Sequence, residues 1–528
     1  MEKDLKTIPE ISPAAAGVGG VKSNRWSFTR KNLDHLKGDS VRGGVVTVLS
    51  EGFRFVLQTG SMIVIARLLS PDEYGVYGEV LALTGIVLLF KDAGLSMATV
   101  QREEISHDEL STLFWINVGI GVLLAAVIAG AAPILVRYYH EPRLFWVTIA
   151  SGLAFLISGL GMQHGALLQR TMRYTTMARI SVYSLLVSSV VGIAMALTGF
   201  SYWSLVGMTL ASTIVGTVAS FLSIPWIPGM PKRGQGVRSM LHFGGTITLN
   251  NLIVYLAYNL VPNMLLGRFC VTASMTGAEA VGLYGRAYQL VNLPMQQLNN
   301  AIYKVAFPAL SRIQNDNERV CRSFLKGYSV LLSINVPITV FTALFAEEII
   351  GILLGAKWLH AAPVLRLLTP AILGFALVNP LGWFMMATGL AKRSLHIAYL
   401  VAPVVIIGVV AGLPFGLEGV ATGFSAGVMA LVIPIVIWAL HGTGITQRDF
   451  WNTVKPPMLS GLVAGLCGLG LKYAIGASLP AIPALLVGVG IVFGVYAFIL
   501  LIVMGQKDRY LDLVRQVMAR KRGKPQEA

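Results

Sequence analysis

Fourteen apolar segments, each about 20 residues long, recur along the chain between residues 45 and 504. A helix of about that length crosses the hydrocarbon core of a bilayer. The chain is 55% hydrophobic and only 12% charged, which excludes a soluble enzyme with a single anchor. We therefore predict an all-α polytopic membrane protein with about fourteen transmembrane helices. The predicted spans are 45–69, 75–96, 112–133, 144–163, 178–199, 202–224, 240–262, 282–308, 323–345, 361–388, 395–413, 417–439, 456–474 and 480–504.

The loops between these spans carry unequal positive charge. Loops on the N-terminal side hold roughly fourteen Lys and Arg residues, whereas the opposite loops hold about four. This asymmetry predicts that both termini are cytoplasmic, and the basic run at 520–522 agrees. It also accounts for the net charge of +16, so we predict no nucleic-acid partner.

The two halves of the chain repeat each other. The residues Gly-Val-Tyr-Gly at 75–78 recur as Gly-Leu-Tyr-Gly at 282–285, and each copy follows an arginine, Arg67 or Arg268. Such echoes link helix n to helix n+6, which predicts two six-helix bundles in the same orientation, followed by two further helices. Two weaker echoes, 168–173 with 388–393 and 199–202 with 416–419, have similar offsets.

A Pro- and Gly-rich segment between the sixth and seventh spans predicts the boundary between the halves. The predicted organisation is a cytoplasmic N-terminal tail (1–44), an N-lobe of spans 1–6 (45–224), a cytoplasmic linker (225–239), a C-lobe of spans 7–12 (240–440), a C-terminal pair of spans (456–504) and a basic cytoplasmic tail (505–528).

The eighth span, 282–308, carries a stripe of amide and phenol side chains at helical spacing. Such groups hydrogen-bond a neutral, hydroxyl-rich ligand without the penalty of burying a charge. The stripe predicts a helix that lines a watery cavity. Two alternatives are a helix lying on the membrane surface and amides that only hold helices together. The candidate binding residues of this span are Arg286, Gln289, Asn292, Gln296, Asn299 and Lys304.

Spans one, two and seven are polar in a similar way. Arg54 and Gln58 share one face of the first span, where Glu51 can pair with Arg54, and Lys91 and Asp92 end the second. For Arg54 the alternative role is a purely structural ion pair. We predict that spans one, two, seven and eight enclose a central hydrophilic cavity between the halves. In the seventh span the candidate binding residues are Asn250, Asn251 and Tyr255.

Motifs of enzymes are absent from the sequence. There is no GxxxxGK[ST] loop for a nucleotide and no HExxH pair for a metal. A GxSxG match at 423–427 falls within a predicted span, where the strand–turn–helix geometry of a nucleophile elbow cannot form. The three cysteines are far apart and have no metal-site spacing. We predict a transporter with no catalytic residue, no metal site and no cofactor.

Three segments together resemble a known family. ARLLSPDEYG at 66–75, YGRAY at 284–288 and FPALS at 307–311 are similar to segments of the Wzx-type polysaccharide flippases of the multidrug/oligosaccharidyl-lipid/polysaccharide (MOP) superfamily. The resemblance implies a V-shaped pair of bundles that works by alternating access. It also implies transport of an undecaprenyl-pyrophosphate-linked oligosaccharide from the cytoplasmic to the periplasmic leaflet of a bacterial inner membrane, for polysaccharide assembly.

The resemblance also carries expectations about residues and partners. Family members place arginines in helices one, two and eight for the anionic headgroup; here Arg54 and Arg286 match, while the second span offers only Lys91. Coupling would be to an H⁺ or Na⁺ gradient or to the membrane potential, with Glu51 and Asp92 as ion-coupling candidates. The implied partners are the lipid-linked oligosaccharide, membrane lipids and polysaccharide polymerase machinery, and a monomer would suffice.

Three other functions stay open at this point. A cation-coupled drug antiporter of the same superfamily would want a more acidic and aromatic pocket. A flippase of the peptidoglycan precursor would share the fold. A membrane polysaccharide polymerase would need a large periplasmic loop with clustered Arg and His, and no predicted loop is that long.

Overall fold

The computed structural model describes residues 25–26, 36–91, 95–101, 105–232, 249–313, 316–475, 480–507 and 510. Within them, fourteen helices have 18 or more residues, and each overlaps one predicted span. The predicted all-α polytopic fold is therefore confirmed. By length and hydropathy alone, ten long helical segments of this part of the chain qualify as membrane spans.

The first half forms one bundle, in which α4 packs on α5, α6 on α7, α5 on α7, and α1 on α6. Its first helix begins at Leu36, inside the segment predicted as the N-terminal tail. Two short strands, β1 (Arg25–Trp26) and β2 (Ile105–Ser106), pair antiparallel. The helices are α1 (Leu36–Leu68), α2 (Pro71–Leu89), α3 (Leu95–Gln101), α4 (His107–Tyr139), α5 (Leu144–Arg170), α6 (Tyr174–Leu197) and α7 (Trp203–Ser223).

The second half forms a matching bundle. Its first helix, α8, contains a π-helical turn at Leu256–Leu260. The last two helices, α15 and α16, pack on each other and on α10. The helices are α8 (Leu249–Phe269), α9 (Gly277–Arg312), α10 (Asn317–Leu344), α11 (Ala346–Leu353), α12 (Ala361–Ala387), α13 (Ala391–Gly412), α14 (Gly416–Leu440), α15 (Gln447–Ile475) and α16 (Ala481–Phe498).

Local sequence explains where α2 and α4 begin. Each follows a capping box, in which an N-cap serine and a glutamate three residues later satisfy one another's backbone N–H groups. The Ser70 N–H donates to Glu73 at 2.6 Å, and the Ser106 N–H donates to Glu109 at 2.8 Å. The motif Ser-Pro-Asp-Glu that marks the family resemblance is thus, first of all, a helix start.

The backbone repeats between the halves. Met172 and Gly389 both have positive φ, at 55° and 78°, and each directly follows the C-cap residue of a helix. Gly199 and Gly416 also have positive φ, at 83° and 70°, just before or at the start of α7 and α14. The members of each pair are 217 residues apart. Because left-handed backbone is uncommon outside specific turns, the shared register supports the internal repeat.

The two halves meet where α2 and α9 begin, and glycines allow that contact. A Cβ on Gly75 would lie 1.5 Å from the Ala278 carbonyl oxygen, and one on Gly282 would lie 1.9 Å from that of Pro71. No side chain fits such gaps, so backbone packs on backbone. These glycines open the two repeated GxYG motifs, whose function here is to bring the lobes together. We call this contact the glycine seam.

A methyl group in the glycine seam should separate the lobes. We expect Gly282→Ala to destabilise the closed contact by about 1–3 kcal/mol relative to the separated state, because overpacking forces the backbones apart. In a background with the native cysteines replaced, a cysteine at the buried position Ala280 reports the change through its rate of maleimide labelling.

Gly285→Ala is the matched control, since a Cβ there would meet nothing within 4 Å and lies one turn further along α9. Gly282→Ala should label several-fold faster than Gly285→Ala. Equal rates in the two variants would show that the seam does not hold the lobes together.

Candidate translocation cavity

A cavity of about 470 Å³ lies between the two halves, below the glycine seam. Its walls come from α1, α2, α8 and α9, the four helices predicted to line it. Toward the seam the lining is buried: Tyr74 is 4% exposed and Tyr284 is 1% exposed. About three turns further along α9, Gln296 and Gln297 are exposed. The cavity is therefore closed at the end where α2 and α9 begin and open toward the other end.

Arg286 is the cation of this cavity. Its guanidinium lies 3.7 Å from the ring centroid of Tyr74, and it donates a hydrogen bond to the Gln289 side chain. No carboxylate pairs with it among the residues that the structure describes. A partly buried arginine held by a ring and a neutral amide keeps most of its donors for an anion. The predicted site residues Arg286 and Gln289 are thus in direct contact.

Neutral polar groups surround Arg286. Asn292 is 7% exposed and donates to the Tyr288 carbonyl at 3.0 Å, which leaves its amide oxygen as an acceptor. The Tyr255 hydroxyl donates to carbonyls of α2, at Leu81 and Ala82, both at 3.1 Å. Tyr255 therefore connects α8 to α2 as well as lining the cavity. The predicted residues that line it are Gln58, Tyr255, Arg286, Gln289, Asn292 and Gln296.

Other predicted residues lie elsewhere. Asn250 and Asn251, in the first turn of α8, are not part of the cavity lining. Asn299 is partly buried on α9 beyond the lining, and its Oδ1 has no partner in the described part of the chain. Asp92 and the side chain of Lys304 lie outside the described residues.

The polar side chains of the first span face different neighbours. Glu51 and Arg54 form the predicted ion pair at 3.8 Å, and both side chains are more than 40% exposed. Arg54 lines a second cavity inside the first half, whereas Gln58 lines both cavities. Ser61, further along the same face, donates to Ser189 of α6 at 2.6 Å and is buried. Arg54 and Arg286 therefore line different cavities.

Sequence reasoning missed the phenols that α2 contributes. Tyr74 and Tyr77 line the cavity, and the Tyr77 hydroxyl hydrogen-bonds Thr209 of α7 at 2.6 Å. Their signal was present, because Tyr77 is the repeat counterpart of Tyr284. By itself the motif indicates the repeat, and only the structure shows that its tyrosines line the cavity.

Polar contacts reinforce the closed end. Asp72 accepts a hydrogen bond at 2.7 Å from Thr276, which is the N-cap of α9. It also forms an ion pair with Arg143 at 2.7 Å. The Trp358 indole, fully buried, donates to the Ala66 carbonyl at 2.7 Å. Arg67, at the end of α1, donates to the carbonyl of Ile352 in α11. Each of the links from Thr276, Trp358 and Arg67 joins the second half to the end of α1 or the start of α2.

Asp72 precedes the predicted second span, and Glu141 and Arg143 lie between α4 and α5, outside the helices. Burial raises the pKa of the Asp72 carboxyl, but hydrogen bonds from Arg143 and Thr276 outweigh burial, and the net pKa is lowered. The hydrogen bonds from Arg143 also lower the pKa of Glu141. Both carboxylates therefore stay charged at neutral pH and hold Arg143 in place.

Glu79 of α2 is buried without a partner. It is 1% exposed, and its Oε2 makes no hydrogen bond to the described residues. The carboxyl faces Gly267 of α8, where a Cβ would lie 2.7 Å from Oε1 and 2.5 Å from the ring of Tyr139 in α4. A charged carboxylate without a cation is expensive to bury, so this site favours the neutral acid. The sequence alone did not single out Glu79.

Two pseudo-symmetric helical bundles around a closed-ended polar cavity define a class of membrane transporter. Residues 64–363 match the family model described as polysaccharide biosynthesis protein. The chain belongs to this family. The predicted resemblance to Wzx-type polysaccharide flippases is confirmed at the level of family and fold.

Several curated proteins are similar over most of their length. The lipopolysaccharide biosynthesis protein WzxC of Escherichia coli K12 is 28% identical over 72% of this chain and 76% of its own. The teichuronic acid biosynthesis protein TuaB of Bacillus subtilis is 25% identical over 70% of this chain and 74% of its own. The succinoglycan biosynthesis transport protein ExoT of Rhizobium meliloti is 24% identical over 61% of this chain and 64% of its own length.

Solved structures share the fold at low identity. The lipid II flippase MurJ, in an inward closed conformation, matches 89% of this chain and all of its own with a TM-score of 0.69 and 15% identity. The structure of an inward-facing multidrug resistance transporter of the MOP superfamily matches 76% of this chain and 96% of its own, with a TM-score of 0.60 and 14% identity. These matches show a common fold.

The contribution of Asp72 to stability should depend on pH. A carboxyl whose pKa is lower in the folded state stabilises the fold above its unfolded pKa, near 4, and loses that contribution as the pH falls through the folded pKa. Asp72→Asn should therefore lower stability by about 1 kcal/mol at pH 7, and the difference from wild type should shrink as the pH falls below about 4. Thermal unfolding of the purified protein across this pH range measures it.

Asp108→Asn is the control, because Asp108 forms an exposed pair with Lys232 within the first half. It should change stability little at any pH. A difference between Asp72→Asn and wild type that stays constant down to pH 3 would contradict the assignment.

We expect Glu79→Gln to retain wild-type thermal stability to within about 1 kcal/mol, because the amide replaces a neutral acid of the same shape. Glu79→Ala should lose about 2 kcal/mol, since it leaves a void among Gly267, Tyr139 and α2. Thermal unfolding distinguishes the two. A Glu79→Gln variant as unstable as Glu79→Ala would indicate that the carboxylate is charged and paired.

Proposed function

We propose that this protein is a flippase that moves an undecaprenyl-pyrophosphate-linked oligosaccharide from the cytoplasmic to the periplasmic leaflet by alternating access. The family and its relatives support a transporter of lipid-linked sugar precursors rather than an enzyme. The observation that carries the proposal for this chain is Arg286, a cation to which no described carboxylate is paired, in a cavity whose other polar lining consists of amides, phenols and a threonine.

The chemistry of the cavity fits both ends of such a headgroup. A guanidinium with free donors suits a pyrophosphate, which it can bind through paired hydrogen bonds. Amides of Asn292 and Gln296 and the tyrosine hydroxyls suit sugar hydroxyls, which both donate and accept. The polyprenyl tail would stay in the bilayer while only the headgroup enters the cavity.

The direction of transport follows from the predicted orientation. If both termini are cytoplasmic, as the loop charges predict, the open end of the cavity faces the cytoplasm and the glycine seam faces the periplasm. This arrangement supports loading from the cytoplasmic leaflet of a bacterial inner membrane. Release would then require the seam to separate, which brings the lobes together at the other end.

Transport would be driven by an H⁺ or Na⁺ gradient or by the membrane potential. The membrane potential supplies about 2.3 kcal/mol per unit charge per 100 mV. Glu51 and Asp92 remain the ion-coupling candidates. We further propose that a monomer suffices, with polysaccharide polymerase machinery as a downstream partner. A peptidoglycan-precursor flippase shares the fold, but the family match favours a polysaccharide precursor.

The test compares the two leaflets in cells depleted of this protein. Lipid-linked oligosaccharide should build up on the cytoplasmic side, and wild-type protein should clear it. Arg286→Ala should fail to do so, because loss of a charge-assisted contact costs roughly 2 kcal/mol, on the order of thirtyfold in affinity. Gln289→Glu should fail similarly, since it supplies a carboxylate beside the guanidinium.

Arg268→Ala is the matched control, because Arg268 is exposed at the end of α8, away from the cavity. Rescue by Arg286→Ala and Gln289→Glu would retain the flippase and discard Arg286 as the anion site. Accumulation of single repeat units on the periplasmic side would contradict the flippase and favour a polymerase.

A further inference from the structure

A second cavity, of about 520 Å³, lies inside the first half. Helices α5, α6 and α7 form its walls, and Arg54, Gln58 and Lys91 lie at its margin. Gln58 also lines the central cavity, so the two adjoin. We call this second cavity the hydroxyl cleft, because serine and threonine side chains make up much of its lining. The family match assigns it no ligand, and of its lining the sequence predicts a binding role only for Arg54, Gln58 and Lys91.

Some hydroxyls of the cleft are occupied within the protein. Ser220 donates to the Gly216 carbonyl at 2.7 Å, and Thr213 donates to the Thr209 carbonyl at 2.8 Å. Thr217 donates across to the Ile157 carbonyl of α5 at 3.2 Å. These are the local and interhelical contacts that hydroxyls ordinarily make in membrane helices. They need no ligand.

Three other hydroxyls of the cleft are different. Ser181, Ser184 and Ser212 make no hydrogen bond to any residue that the structure describes. Ser184 is only 7% exposed, and its Oγ is buried without a partner. The Ser184 Oγ packs against Gly216 of α7, whereas Ser181 and Ser212 are only half-buried and line the cleft with open hydroxyls. These three come from two helices, α6 and α7, that face each other.

Glycines keep the cleft narrow and polar. A Cβ on Gly161 would lie 2.8 Å from Thr217 Oγ1, and one on Gly216 would lie 3.4 Å from Ser184 Oγ. The helices therefore approach closely, and larger side chains do not cover the hydroxyls. A pocket with convergent neutral hydroxyls and Arg54 at its margin suits a polyhydroxylated molecule.

We propose that the hydroxyl cleft binds sugar rings of the lipid-linked glycan, those furthest from the diphosphate, through the open hydroxyls of Ser181 and Ser212, with Ser184 behind them in the wall of the cleft. This inference rests on the proposed function. With the diphosphate at Arg286, the glycan passes Gln58 and enters the first half. Arg54, at the margin, is placed to bind an acidic substituent on such a sugar. The cleft therefore distinguishes a complete repeat unit from a lipid carrying a single sugar.

The experiment uses two probes with the full-length protein. One is the undecaprenyl-diphosphate-linked repeat unit extracted from cells that lack this chain, and the other is the same lipid trimmed by exoglycosidases to its first sugar. Wild type should bind the complete unit more tightly. The combined variant Ser181→Ala, Ser184→Ala and Ser212→Ala should bind it about tenfold more weakly, and the trimmed lipid unchanged.

Ser188→Ala is the matched control. Ser188 lies one turn beyond Ser184 on α6, is 1% exposed, does not line the cleft and donates to the Leu185 carbonyl at 2.9 Å. It should bind both probes as wild type does. Thermal unfolding of each variant verifies that the fold is intact, and alanine is compatible with these helices.

The outcomes separate the two proposals. If the combined variant binds both probes like wild type, or loses both equally, the hydroxyl cleft is not a sugar subsite, while the flippase proposal stands. If wild type binds neither probe, the proposed function itself fails. Selective loss of the complete unit supports the subsite.

Discussion

The structure depends on the backbone contact between α2 and α9. Gly75 and Gly282 let two helices from different halves touch without side chains between them, so the cavity below is closed at that end. Apolar side chains of both helices, among them Val76 and Val281, are buried beside the glycines in one hydrophobic core. Small residues at such a contact let two helix backbones approach closely. Under the proposed alternating access, this is the contact that would open.

The polar links at the closed end act on the same contact. Asp72 joins Arg143 of the first half to Thr276 of the second, and Trp358 and Arg67 donate across the halves to backbone carbonyls. Because hydrogen bonds are directional, these bonds fix how the two halves are aligned at the closed end. The glycines only allow the two helix backbones to come close. Each involves the end of α1 or the start of α2, so all three links lie on one side of the glycine seam.

The two cavities would bind different parts of the proposed headgroup, the diphosphate in the central cavity and sugar rings in the hydroxyl cleft. Arg286, braced by Tyr74 and Gln289, offers an anion site near the closed end. Arg54 lies instead at the margin of the hydroxyl cleft, beside Glu51. The family resemblance implies one headgroup site for both arginines, but the structure places them in different cavities. Helix α1 turns Arg54 toward α5–α7, which periodicity within one helix cannot reveal.

The sequence by itself determined the helix number, the internal repeat, the family and the four helices that line the cavity, because hydropathy, spacing and local motifs are properties of one segment at a time. Tertiary structure decided the rest. Asn250 and Asn251 lie outside the cavity, Ser61 packs on α6, and Tyr74, Tyr77 and Glu79 become prominent only when α2 meets its neighbours. Which way a polar side chain faces depends on the helix packed against it, and that contact is not encoded in the spacing of its own helix.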